Sequence, residues 1–124
     1  AAEARLEVFD NLRAALEETV ACYETSDPDR ILDAKNRFYG VLVAGARSES
    51  MSAMLSTLHA RIWRWRALGL SHPARSPLRS RESIDGLRAM FAAMEGRDAT
   101  KAEQSAREEA ERAAAEVMHL LGRN

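Results

Sequence analysis

The sequence predicts an all-α protein, an antiparallel bundle of about five helices. Apolar residues recur three and four positions apart in every apolar stretch, which is the spacing of one face of an α-helix. The chain is 46% hydrophobic and 30% charged and has only 6 Gly and 3 Pro, a composition typical of a folded helical domain. At this length, residues 1–124 are expected to form a single domain around one core.

The first two helices are predicted on either side of Ser26. The first covers residues 2–23, and its apolar seam consists of Leu6, Phe9, Leu12 or Arg13, Leu16, Val20 and Tyr23. The second begins at Ser26, Asp27 and Pro28, because a capping acceptor followed by a proline favours a helix start. Its wide apolar face, typical of an inner helix, is interrupted by Lys35 and Asn36 and consists of Ile31, Phe38, Leu42, Leu32, Tyr39 and Val43.

The second helix ends at residues 45–48, where Ser48 or Ser50 can cap a third helix. The short turn predicts that these two helices lie antiparallel. The core face of the third helix is predicted to consist of Met51, Met54 or Leu55, Leu58, Ile62 and Trp65.

The longest loop is predicted at residues 71–77, which are rich in helix breakers. A fourth helix follows over residues 79–95, with an apolar face of Ile84, Leu87, Phe91 and Met94. Residues 96–98 are expected to stop it and to cap a fifth helix over residues 99–121. Small residues on the inner face of the fifth helix predict a close helix approach, and this face consists of Ala102, Ala106, Ala110 or Ala113, Val117 and Leu120.

Two of these segments resemble a known family. The stretch NRFYGVLVAGARSESMSAMLSTLHARI, residues 36–62, is similar to the central segment of the FCD domain. GLRAMFAAMEGRDATKAEQSAREEAE, residues 86–111, resembles the closing pair of helices of that domain. The aromatic-plus-histidine pair of the family is Phe38-Tyr39 here, and Arg47-Ser48 stands where Gly-Asn is usual.

The resemblance implies the effector-binding and dimerisation domain of a FadR-type transcription regulator of the GntR superfamily. It therefore implies a homodimer, a small-molecule effector, and DNA binding only through an N-terminal winged helix-turn-helix domain that this chain does not contain. The alternative from a different class is a helical protein-interaction module with no small-molecule site.

Many FCD domains hold a divalent metal through one Asp and three His. The resemblance places these four positions at Lys35, Tyr39, Leu87 and Glu109, and only the last is a good ligand. Transition-metal sites need three or four N, O or S ligands, so we expect neither a metal nor another cofactor. The chain's own histidines fall elsewhere, at His59, His72 and His119.

A small carboxylate effector is expected to bind where the metal would lie, with Lys35 as a fixed cation and Tyr39 as a hydrogen-bond donor. The candidate ligand-binding residues are Lys35, Tyr39, Arg61, Arg66, Leu87 and Glu109. An alternative is that a Lys35–Glu109 ion pair fills the site, because a buried lysine costs several kcal/mol unless it is paired. The third possibility is a solvated surface lysine.

Other functional classes find little support in the sequence. The lone Cys22 cannot form an internal disulfide, and no apolar stretch approaches a membrane span, so we expect a cytoplasmic protein without a membrane partner. There is no Gly-rich phosphate loop, CxxC pair or HExxH motif, which disfavours an enzyme. With a net charge of −1, the chain as a whole has no electrostatic attraction to nucleic acid. The basic cluster beside the loop is expected to be solvated, and consists of Arg61, Arg64, Arg66, Arg75, Arg79 and Arg81.

Overall fold

A computed structural model describes residues 2–25, 27–47, 49–57, 70, 72, 75, 77–120 and 122. Within these residues the chain forms five helices and no strand, which confirms the predicted all-α fold. The helices are α1 (Ala2–Thr25), α2 (Pro28–Ala46), α3 (residues 49–57), α4 (Pro77–Glu95) and α5 (Ala99–Leu120). α1 packs against α2 and α4, and α4 packs against α5. Because short turns join α1 to α2 and α4 to α5, each of these two pairs is antiparallel.

The turn between α1 and α2 follows from its polar side chains. The Thr25 hydroxyl donates to the backbone oxygen of Cys22 at 2.6 Å and accepts from the backbone N–H of Asp27 at 3.3 Å. The Asp27 backbone is extended, and its carboxylate accepts from the N–H groups of Asp29 and Arg30 at 3.1 and 3.4 Å. These bonds satisfy donors that the first turn of a helix leaves free, so the predicted start of α2 is confirmed.

Arginines occupy the left-handed positions at the ends of α2 and α4. Arg47 has φ 50° and Arg97 has φ 57°, although Gly45 lies two residues before the first and Gly96 one residue before the second. After α4, the backbone N–H of Asp98 donates to Ala93 at 2.9 Å, and the Asp98 carboxylate then accepts from Lys101 N–H at 2.9 Å. The predicted turn at residues 96–98 is therefore confirmed, with an arginine in place of the glycine usual at this backbone conformation.

Gly45 contributes to packing rather than to the turn. A Cβ placed on it would lie 2.7 Å from Cγ1 of Val8, so glycine is what allows α1 to approach α2 this closely. Gly40 lies five residues earlier on the same helix, and a Cβ there meets nothing within 4 Å. The space around the two glycines is therefore very different.

We expect Gly45→Ala to destabilise the protein by roughly 1 to 3 kcal/mol, because the stiff valine must move to make room. Gly40→Ala should stabilise it by about 0.5 to 1 kcal/mol, because alanine loses less backbone entropy in a helix. Urea unfolding of both variants measures the difference. Equal effects of the two substitutions would contradict the close helix approach.

The core lies between the helix faces that the periodicity predicts. Its buried members come from all five helices, and they include Leu12, Leu16, Phe38, Tyr39, Leu42, Met51, Met54, Leu55, Leu87, Met90, Met94, Ala102 and Ala106. Three predicted core residues of the third helix, Leu58, Ile62 and Trp65, lie outside the described residues, as does the side chain of Leu6. A second, smaller cluster contains Cys22, Tyr23, Ile31 and Ala34. No helix in the described part of the chain has both the length and the apolar character that crossing a bilayer requires.

Candidate functional site

Glu109 lies at the centre of a buried polar cluster in the middle of the alanine-rich face of α5. Its side chain is 0% exposed and accepts hydrogen bonds from three residues of two other helices. Ser83 Oγ donates at 2.7 Å and Lys35 Nζ at 3.2 Å, both to Oε2. Arg79 Nη2 donates to Oε2 at 3.1 Å and to Oε1 at 3.3 Å. The carboxylate is thus fully enclosed and saturated with donors.

Each member of the cluster is positioned by its helix. Arg79 and Ser83 lie one turn apart on α4, and Lys35 projects from α2 between buried neighbours. Gly86 faces this cluster, since a Cβ there would lie 3.1 Å from Arg112 Nη2, a tight contact, and 3.4 Å from Cβ and Oε1 of Glu109, an ordinary one. Three helices therefore converge on one carboxylate.

The cations around Glu109 keep it ionised. Burial by itself raises the pKa of this carboxyl, but the positive charges of Lys35 and Arg79 and the hydrogen bond from Ser83 outweigh it. The result is a pKa lowered from 4.5 to about 2. At neutral pH the cluster is a charged network and not a set of neutral polar groups.

Positive charge exceeds negative charge in this buried cluster. The side chains of Lys35 and Arg79 are only 6% and 7% exposed, and both contact the single carboxylate of Glu109. A third cation, Arg112, lies 3.7 Å from Glu109 Oε1 on the solvent side, with 39% of its side chain exposed. Because one carboxylate faces two buried cations, the site retains one uncompensated positive charge.

A cavity of about 30 Å³ adjoins the cluster. Room of this size holds about two water molecules. Among the described residues, its walls come from α1, α2, α4, α5 and the segment before α4, and they consist of Tyr23, Leu32, Lys35, Leu70, Arg75, Arg79, Ser83, Ala113, Glu116 and Val117. The cavity is therefore a point where four helices meet.

Three buried donors beside this cavity have no acceptor among the described residues. They are the Tyr23 hydroxyl and the Nε and Nη1 groups of Arg79. The neighbouring Arg75 guanidinium donates to Ser80 Oγ at 3.1 Å from Nη2 and at 3.4 Å from Nε, and burial lowers its pKa. Because buried polar groups are nearly always hydrogen-bonded, the unpaired donors mark a place where an acceptor can bind.

The structure brings together two of the residues that the sequence singles out. Lys35 and Glu109 form the buried ion pair that was the alternative interpretation, so Lys35 is not a solvated surface residue. Leu87 is fully buried in the apolar core, and Tyr39 packs there with its ring 5.9 Å from that of Phe38. Neither of these two is among the described residues that line the cavity. Arg61 and Arg66 lie outside the described residues.

Sequence reasoning missed the α4 side of the cluster. The expectation that Arg79 is solvated was wrong, because it is 6% exposed and paired with Glu109. Ser83 was not singled out at all. A signal existed, since steps of four residues back from the core residue Leu87 lead to Ser83 and then to Arg79 on the same helix face.

The residues present do not fit a divalent metal at the family's metal position. The Lys35 ammonium lies 3.2 Å from the only carboxylate there, and Leu87 offers no donor atom. Among the described residues, no group of three or more His, Cys, Asp or Glu could hold a metal ion. The positive charges beside Glu109 are those of the Lys35 and Arg79 side chains.

The chain matches the family model of the FCD domain over residues 1–119. Comparison with curated proteins and with solved structures finds no match. An FCD domain is an effector-binding domain of a regulator, and it is regulatory rather than catalytic. Because the match extends over nearly all of its 124 residues, the chain belongs to the FCD domain family.

Proposed function

We propose that this domain senses a small organic acid, without a metal, and dimerises as part of a FadR-type transcription regulator of the GntR family. DNA would be bound by an N-terminal winged helix-turn-helix domain outside this sequence. The observation that supports an acid is the uncompensated positive charge of Lys35 and Arg79 beside a cavity. An anion that enters the cavity gains a favourable interaction that water and screening weaken little at a buried site.

The position of the cavity suggests how binding could be transmitted. Tyr23 belongs to α1, Lys35 to α2, Arg79 to α4 and Glu116 to α5, so one occupant contacts four helices. A ligand changes a packing equilibrium only by the difference in its affinity for the two packings, which is commonly about 1 to 3 kcal/mol. Contact with four helices gives a small ligand several points at which the two packings can differ.

Dimerisation and a cytoplasmic location complete the proposal. Two-fold dimers are the commonest closed assembly and would present two DNA-binding domains in a geometry that the effector adjusts. Sedimentation of the purified domain at micromolar concentration is expected to give twice the chain mass of 13.8 kDa. A monomer at all concentrations would contradict the dimer and weaken the regulator assignment.

Binding of small organic acids is tested by calorimetry and by thermal unfolding with a panel of carboxylates, each compared with its uncharged amide. We expect at least one acid to bind and to raise the melting temperature, because a ligand specific for the folded state stabilises it. Its amide should have no effect. EDTA should change neither the affinity nor the melting temperature, since the cations at this site are side chains. Loss of binding in EDTA would show that a metal carries the effector.

A further inference from the structure

We propose that Tyr23 and Arg79 form a subsite for the head group of a monoanionic acid, in the cavity between α1, α2, α4 and α5. This inference rests on the proposed function and assigns it to particular atoms. Four buried donors have no acceptor among the described residues: the Tyr23 hydroxyl, Nε and Nη1 of Arg79, and Nε of Arg112. The first three belong to Tyr23 and Arg79, which line the cavity and are 8% and 6% exposed.

The guanidinium nitrogens of Arg79 have different roles. Its Nη2 group holds Glu109, which fixes the guanidinium in place. The other two nitrogens remain available beside the cavity. Nη2 belongs to both edges of the guanidinium that can bind a carboxylate at two points, so Nε and Nη1 can each donate one separate hydrogen bond. Because Nη2 is anchored, little side-chain entropy is lost when an acceptor binds to either of them.

The charges around the cavity favour one negative charge over two. Lys35, Arg75 and Arg79 line it as cations, and Glu116 lines it as a carboxylate. Glu109 lies directly behind Lys35 and Arg79 and accepts from both. Among the described residues, these three cations and two carboxylates leave one positive charge for the ligand. Arg112 also contacts Glu109, but its side chain is 39% exposed on the solvent side, where water screens its charge. A dianion would leave one negative charge unpaired beside Glu116.

The size and the walls of the cavity describe the rest of the ligand. About 30 Å³ accommodates a head group and not a long chain. The remaining described wall consists of Ser83, whose hydroxyl donates to Glu109, and of four apolar side chains, Leu32, Leu70, Ala113 and Val117. The geometry therefore favours a short aliphatic monocarboxylate over a polar dicarboxylate.

The test uses the whole domain with acetate, propionate and butyrate as monoanions and with malonate and succinate as dianions. In wild type we expect a monoanion to bind at least about fivefold more tightly than the dianion of similar length, the effect of one unpaired charge. Tyr23→Phe should weaken that binding by about three- to tenfold, the contribution of one hydrogen bond. Its melting temperature should not fall, because the hydroxyl it removes has no acceptor in the described part of the chain.

Matched variants separate the subsite from general damage to the fold. Tyr39→Phe tests the competing donor that the sequence suggests, which is buried and is not among the described residues that line the cavity. If the subsite is right, binding should weaken in Tyr23→Phe and not in Tyr39→Phe. Arg79→Lys retains a charge for Glu109 but loses the free guanidinium donors, so binding should fall by about tenfold or more. Arg88→Lys, on the exposed side of the same helix, should have no effect. If Arg79→Lys fails to fold, Tyr23→Phe alone still decides the assignment.

The possible failures are distinguishable. If a monoanion binds but Tyr23→Phe has no effect, or if Tyr39→Phe is the variant that weakens binding, the subsite is wrong and the acid sensor stands. If dianions bind more tightly than monoanions, the charge assignment of the cavity is wrong. If none of the five acids binds up to about 10 mM, well above ordinary effector affinities, the subsite is wrong. The acid-sensing function fails as well only if no acid of the wider carboxylate panel binds.

Discussion

Replacing Glu109 by glutamine is expected to destabilise the protein by about 3 to 5 kcal/mol, which is a large part of the stability of a typical domain. The substitution keeps the shape of the side chain but removes its charge, so Lys35 and Arg79 are left as buried cations without a counter-ion. Desolvated charges of this kind are among the few causes of such large mutational effects. Urea unfolding at neutral pH, followed by the circular dichroism signal of the α-helices, measures the change in the free energy of unfolding.

Two comparisons make the result specific to the buried network. Glu111→Gln, on the exposed side of the same helix, should change the free energy of unfolding by less than about 0.5 kcal/mol. The triple substitution of Glu109→Leu, Lys35→Met and Arg79→Met should recover most of the lost stability, because it removes the cations together with the carboxylate. An effect of Glu109→Gln as small as that of Glu111→Gln would show that the cations find other partners or water.

The stability of the wild-type protein is expected to fall with acid in a way that Glu109 controls. The pKa of its carboxyl is about 2 in the folded protein, against an ordinary value of 4.5. Between these values the unfolded chain binds a proton that the folded chain does not, so stability decreases as the pH falls. The full contribution is present above about pH 5, and it is lost as the pH falls through the folded pKa.

The size of this effect follows from the shift of the pKa. At about 1.4 kcal/mol per pKa unit, the lowering from 4.5 to about 2 corresponds to roughly 3 kcal/mol. The measurement is the free energy of unfolding of wild type and of Glu109→Gln from pH 7 to pH 3, as far as the variant remains folded. The difference between the two should shrink as the pH falls, because the variant has no carboxyl at this position. A difference that is constant with pH would contradict the lowered pKa.

The positions of the helices could be predicted from the sequence because their causes are local. An apolar residue at every third or fourth position predicts a face, and a capping aspartate followed by a proline predicts a start. α2 accordingly begins at Pro28 after an Asp27 cap, and α5 begins at Ala99 after an Asp98 cap. From the sequence, the glycines could be predicted only as residues that end helices. The close contact of Gly45 with Val8 depends on how α1 crosses α2, which no local pattern contains.

The candidate site was only half predictable. Resemblance to the family singled out Lys35 and Glu109, and the cost of burying a lysine indicated that they could pair. The burial of Arg79 and Ser83 was not predicted, because the sequence shows polar residues near a loop and does not show whether other helices cover that end of α4. Burial depends on which helices pack over a residue, and the partner of Arg79 lies 30 positions away on α5.

By itself, the sequence determined an all-α chain, the bounds of α1, α2, α4 and α5 to within a few residues and the presence of an interrupting lysine on an inner face. Only the tertiary structure decided that Glu109 is shared by Lys35, Arg79 and Ser83, and that Tyr23 and Arg79 leave donors unpaired at a cavity. The physical reason is the range of the interactions. Helix formation is decided within a turn or two of the chain, whereas the desolvation and pairing of a charge depend on every element that packs around it.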